Sequence, residues 1–158
     1  MLQDIKYWVW LSSIPGLGPK RSGQLLKEFG SPENIWELKE NELRSLPYIN
    51  EGIVLKLIDK DIREKAAIYL DNIKKWNIKV IHINHKDYPA YLKNIYDPPV
   101  VLYVRGELKE EKAIAVVGSR RATSYGLSTA ERISQDLANR GISVISGMAR
   151  GVDSYAHN

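Results

Sequence analysis

Cysteine is absent from the 158 residues. Its absence removes disulfide frameworks, thiolate metal sites and thiol nucleophiles, and is compatible with a reducing compartment. No apolar run approaches the length of a membrane span, and the opening stretch MLQDIKYWVWLSSIPG has no basic segment ahead of its apolar residues. Neither a spanning helix nor a secretory leader is expected, so the chain reads as cytoplasmic with no membrane partner. Histidine is scarce: His82, His85 and His157 are scattered with no carboxylate cluster beside them, and no metal or other cofactor is expected. What is present is a 44% share of hydrophobic residues, enough to bury a core. A net charge of +4 and a pI near 9.2 lean towards polyanionic partners without deciding the matter.

From Gln3 to about Trp76, apolar residues recur at helical spacing between Pro, Gly and Ser breaks, which predicts an all-helical module over residues 1–76. Pro19 suits a first helical turn and Gly30 a carboxyl-terminal cap, giving a helix from Pro19 to Phe29. Ser31-Pro32-Glu33 opens another. Asp61 to Trp76 reads as a longer helix with Ile62, Ala66, Tyr69, Leu70 and Ile73 inward, ended by Asn77. The four tryptophans, Trp8, Trp10, Trp36 and Trp76, are read as core rather than stacking platforms.

After Asn77 the period changes, and residues 77–158 are expected to begin a parallel sheet. Lys79 to Ile83 and Val100 to Val104 are short β-branched runs; Ala113 to Val117 is a continuous apolar run of the kind covered on both faces. Thr123 to Arg140 predicts a helix with Leu127, Ala130, Ile133, Leu137 and Ala138 on one face and Gly141 as its stop, before a strand at Ile142 to Ile145. That is one βαβ unit, with another helix starting near Asp153. The residues up to Asn158 do not suffice for a finished doubly wound sheet, so the chain reads as the front portion of a larger domain.

Two places carry chemistry. Ile14-Pro15-Gly16-Leu17-Gly18-Pro19-Lys20-Arg21 has the order of a helix-hairpin-helix turn. There Gly16 and Gly18 let backbone amides approach a phosphate while Lys20 and Arg21 add charge, a grip that reads no sequence. Leu46-Pro47-Tyr48-Ile49-Asn50 echoes the turn with both glycines replaced and looks structural. The plainer reading is that Gly16 and Gly18 only make a tight turn.

The second place lies where α/β folds hold ligands, outside the carboxyl ends of parallel strands. The first predicted strand runs into Gly118-Ser119-Arg120-Arg121-Ala122-Thr123-Ser124-Tyr125-Gly126, and the next ends in Ser146-Gly147-Met148-Ala149-Arg150-Gly151-Val152-Asp153. The glycine spacing is not the dinucleotide fingerprint; two arginines fill the interval, and arginines suit phosphates and stack on bases. Two such loops on one edge make an anion cradle of Gly118, Ser119, Arg120, Arg121, Thr123, Ser146, Gly147, Met148, Ala149, Arg150 and Gly151, with Tyr125 as a base-stacking candidate. The plainer alternative is close-packing glycines with solvated arginines. Ser146, Asp153 and His157 do not make a hydrolase, because no G-x-S-x-G elbow is present; Asp153 and His157 are expected to form a local i, i+4 pair, and His82 and His85 to be strand-end surface residues.

Tyr88-Pro89-Ala90-Tyr91-Leu92 through Asp97-Pro98-Pro99 to Arg105-Gly106, the Ala115 to Thr123 stretch, and Ser146 to Asp153 with Ala156-His157 together resemble the signatures of the DNA-processing protein A (Smf) family. The resemblance implies an α/β protein: a small helix-hairpin-helix (SAM-like) domain followed by the first part of an extended Rossmann-like parallel-sheet domain. It further implies a non-enzymatic binder of single-stranded DNA that helps load RecA in natural transformation and is a homodimer when full length. The family's DNA-contacting arginine carries over to Arg120, and its phosphate-facing glycine and serine to Gly118 and Ser119. Two other readings stay open on the residues alone: a nucleotide-metabolising enzyme using the same sheet edge, against which no general acid or base is evident, and a duplex-binding module working through Gly16-Leu17-Gly18.

Overall fold

Helix α1 (Leu2–Ser13) buries four consecutive residues, Trp8, Val9, Trp10 and Leu11, which requires partners on most of its circumference. Those partners come from a series of short helices whose ends are set locally. In this computed structural model, which describes residues 2–108 and 112–158, α2 (Gly18–Phe29) follows a turn in which Gly16 and Gly18 hold φ of +86° and +66°. It stops at Gly30, whose amide donates to the Leu26 carbonyl at 2.9 Å. Ser31 caps α3 (Pro32–Glu37), its hydroxyl oxygen accepting from the Asn34 amide at 3.2 Å. Then come α4 (Glu40–Arg44), α5 (Glu51–Ile58), capped by the Asn50 side chain, and α6 (Lys60–Lys75), capped by Asp59. Leu17, Leu25, Ile35, Leu43, Val54 and Leu57 join Trp10 in the core, and each large side chain buried there contributes about 1.5–3 kcal/mol.

The chain divides into two compact units, Met1–Leu108 and Lys109–Asn158. The change of period after Trp76 therefore marks a change of secondary structure within the first unit, not the point where the compact units separate. The two strands that follow, β1 (Ile78–His82) and β2 (Val101–Arg105), pair antiparallel with Val80 opposite Tyr103, instead of beginning the parallel sheet. Only the single turn of α7 (Ala90–Lys93) interrupts their connection, in place of a crossover helix. The helices cover part of the pair: Val80 packs against the helical core, and Val101, with Val100 just before β2, against Trp8, while Ile81 and Val104 pack with Tyr88. The Tyr88 hydroxyl donates to the Pro99 carbonyl at 2.7 Å and closes the connection on itself.

Three further expectations for this unit need correction. Tyr69 is exposed, because α6 has covering elements only along the stripe of Ile62, Ala66, Leu70 and Ile73. Trp76, at the cap beyond the last turn of α6, is 60% exposed and is not core. His82 is not a simple surface residue: its ring stacks on Trp8, centroids 4.4 Å apart and 7° from parallel, and its Nδ1 is buried without a hydrogen-bond partner. Burial, with a smaller contribution from His85, holds the His82 pKa below its ordinary value.

In the second unit, β3 (Ala113–Ala115) and β4 (Ser143–Ile145) pair in parallel with Ala115 opposite Ile145. Helix α8 (Ser124–Asn139) connects them, and Thr123 caps it by accepting from the Gly126 amide at 3.2 Å. The βαβ unit expected from the sequence is present. Its strand β3 is exposed rather than covered on both faces, since within this unit only α8 and the single turn α9 (Val152–Tyr155) accompany the two strands. For the same reason Ile133 and Ala138 face solvent, and the inward side of α8 runs through Ala130 and Ser134, with Leu127 and Leu137 partly covered. Among the described residues no helix is long and apolar enough to cross a membrane, and no cluster of acidic or histidine side chains has metal-binding geometry.

Candidate nucleic-acid interface

At the carboxyl ends of β3 and β4 the two glycine-rich loops lie against each other, and glycine is what lets them. A Cβ on Gly118 would fall 2.8 Å from the Val152 side chain, and one on Gly147 would fall 3.0 Å from an Asp153 carboxylate oxygen. Gly151, at φ +88°, presses on the backbone of Ser119 and Arg120; a Cβ there would lie 2.9 Å from the Arg120 Cα. The Val152 amide donates to the Ser119 carbonyl at 3.2 Å, and the Arg121 amide to the Ser119 hydroxyl at 3.1 Å.

Asp153 is the knot between the loops. It is buried, and its two carboxylate oxygens accept from the Gly118 amide at 3.1 Å and the Gly147 amide at 3.2 Å. This replaces the expected pairing with His157: α9 ends at Tyr155, so His157 lies past the helix. The carboxylate is committed to backbone donors, which leaves Ser146, Asp153 and His157 without the arrangement of a nucleophile and its base. The Ser146 hydroxyl is buried with no partner, and Met148 sits at φ +52° with an exposed side chain.

With the loops fixed from inside, Arg120, Arg121 and Arg150 are exposed, and no ion pair holds any of them among the described residues. Tyr125, in the first turn of α8, is 77% exposed. The structure thus brings Gly118, Ser119, Arg120, Arg121, Thr123, Tyr125 and the 146–151 loop into one unit, as three free cations and one free ring on a braced base. Sequence reasoning missed Asp153 as the brace. The signal available for it was an acidic residue directly after the Gly151-Val152 step, in a segment otherwise without acidic side chains.

The helical turn is built differently. The Arg21 guanidinium donates through Nε to the Tyr48 carbonyl at 3.0 Å and through Nη1 to the Gly16 carbonyl at 3.3 Å. Lys56, which the motif did not single out, donates to the Pro15 carbonyl at 2.9 Å. Arg21 therefore ties the first turn to the second and Lys56 ties it to α5, while Lys20 stays exposed. The groove between the turns has a volume of about 620 Å³ and includes Gly16, Gly18, Lys20, Tyr48, Asn50 and the acidic Asp97, a size within the roughly 300–1,000 Å³ of small-ligand clefts.

The family described as DNA recombination-mediator protein A matches residues 79–158, and a SAM-like helix-hairpin-helix tandem matches residues 11–64. Protein Smf of a Synechocystis species is 30% identical over 96% of this chain and 40% of its own length. Protein Smf of Borreliella burgdorferi is 37% identical over 94% of this chain and 47% of its own. The crystal structure of DNA processing protein A from Streptococcus pneumoniae superposes with a TM-score of 0.59 at 25% identity, over 96% of this chain and 52% of that one. The chain spans less than half the length of these two curated relatives. With the helix-hairpin-helix tandem, the parallel βαβ unit and these matches, the chain belongs to the DNA recombination-mediator protein A family.

Proposed function

We propose that this chain binds single-stranded DNA through the two loops at the carboxyl edge of β3 and β4, without catalysing a reaction on it. The observation that carries this reading is the set of three exposed arginines, Arg120, Arg121 and Arg150, without ion pairs among the described residues, on loops that are braced from within. Phosphates would be held by charge and by guanidinium hydrogen bonds, and Tyr125 would stack on a base, a combination that tracks a strand with little sequence preference. Duplex binding through the helical turn is the weaker reading, because Arg21 and Lys56 are engaged by backbone carbonyls. In the whole protein we place this surface within DNA recombination: a cytoplasmic homodimer that receives incoming single strands during natural transformation and passes them to RecA. The relatives' names, which speak of DNA processing, support that setting.

The test is binding of a labelled single-stranded oligonucleotide to the chain and to Arg120→Ala, with unlabelled duplex as competitor. Binding that resists the duplex and is weakened by the substitution supports the proposal. Binding indifferent to Arg120 and displaced by duplex moves the interface to the helical turn and refutes it.

A further inference from the structure

Resting on that reading, we infer that Asp153 is a specificity-determining residue: a built-in anion that fills the place where a Rossmann-like edge would take a nucleotide phosphate, so that free nucleotides are refused and only a strand lying across the outer arginines is held. In folds of this kind, glycines at the strand ends leave room for a ligand, and backbone amides there donate to its phosphate. Here the room is taken by the chain itself. The space over Gly118 holds the Val152 side chain, the space over Gly147 holds the Asp153 carboxylate, and Gly151 abuts the Ser119 to Arg120 backbone. The amides that would greet a phosphate, those of Gly118 and Gly147, both donate to Asp153.

A phosphate entering this crevice would have to displace a carboxylate from two hydrogen bonds, or else sit beside a buried like charge. Neither is favourable. The cations, by contrast, are open to solvent: Arg120, Arg121 and Arg150 are exposed. A polymer with several phosphates can engage them together from outside, whereas a mononucleotide offers one phosphate and finds its natural pocket closed.

The experiment is an amide-resolved NMR titration of the isotopically labelled chain with dAMP, and separately with a short oligothymidylate. In the wild-type chain, millimolar dAMP is expected to leave the Gly118 and Gly147 amide signals in place; saturable movement of both would overturn the inference. In Asp153→Asn, which removes the charge at nearly constant shape, dAMP is expected to bind at least about tenfold more tightly, a difference of about 1.4 kcal/mol. A folded Asp153→Asn that still refuses dAMP would also overturn it, because the carboxylate would then not be what excludes the phosphate. Should that variant not fold, the wild-type titration decides alone. If oligothymidylate perturbs no signals, the single-strand reading fails, and the dAMP arm still tells whether the crevice is closed.

Discussion

The Arg21 side chain donates to the Tyr48 carbonyl at 3.0 Å, so a cation of the first hairpin turn is fastened to the backbone of the second. The pseudo-repeat is thereby one structural piece, and its arginine acts as an internal strut. Arg21→Ala removes donors from two carbonyls, Tyr48 and Gly16, at a charge-assisted bond. It should lower stability by about 1.5–3 kcal/mol in denaturant titration, and leave single-strand affinity within about twofold, less than 0.5 kcal/mol.

Gly151→Ala should disrupt the loops rather than the helices. The new Cβ would collide with the Ser119 carbonyl and lie 2.9 Å from the Arg120 Cα, on a backbone at φ +88°. A loss above about 1 kcal/mol is expected from the positive φ alone. Hydrogen exchange should show faster exchange at Gly118 and Gly147 with the amides of α2 and α6 unchanged.

The His82 ring, stacked on Trp8, gives the first unit a pH dependence. Because burial lowers its folded-state pKa, the unfolded chain binds the proton more tightly, and stability rises with pH in the interval between the two values. The stabilisation is complete above the ordinary value of 6.5 and is lost as pH falls below it towards the lower folded-state value. His82→Phe keeps a ring against Trp8 and removes the titration, so its melting temperature should fall less than that of the wild-type chain between neutral and mildly acidic pH. Equal slopes would show that another group controls the loss.

Much of this was legible in the sequence wherever the cause is local. The cap at Ser31, the glycine stop at Gly30, the α8 start at Thr123 and the βαβ order all rest on residues within a turn of one another. What was not legible depends on partners far along the chain. Val80, Val100 and Val101 read as strand residues, but nothing local says that Trp8 and the helical core will cover them and draw the hairpin into the first unit. An apolar run such as Ala113 to Val117 reports what burial would suit, while the structure leaves β3 exposed. In the site, the glycines and arginines were found from spacing, whereas the Asp153 brace was not, because it exists only where two loops separated by all of α8 meet at one carboxylate.

Tyr125 supplies a further test of the interface, since its ring is exposed and makes no ring contact among the described residues. Tyr125→Ala should cost about 1–3 kcal/mol of single-strand affinity if one base stacks there. It should leave the salt dependence unchanged, as stacking releases no counterions.

The most direct test of the central claim is the salt dependence of single-strand binding, compared between the wild-type chain and one with Arg120, Arg121 and Arg150 all changed to alanine. Each phosphate contact contributes about 0.7 to the slope of log affinity against log salt. The account predicts that the triple variant binds more weakly and that its slope is shallower by about 2, the loss of three contacts. An unchanged slope in a folded triple variant would contradict it and place the DNA elsewhere on the chain.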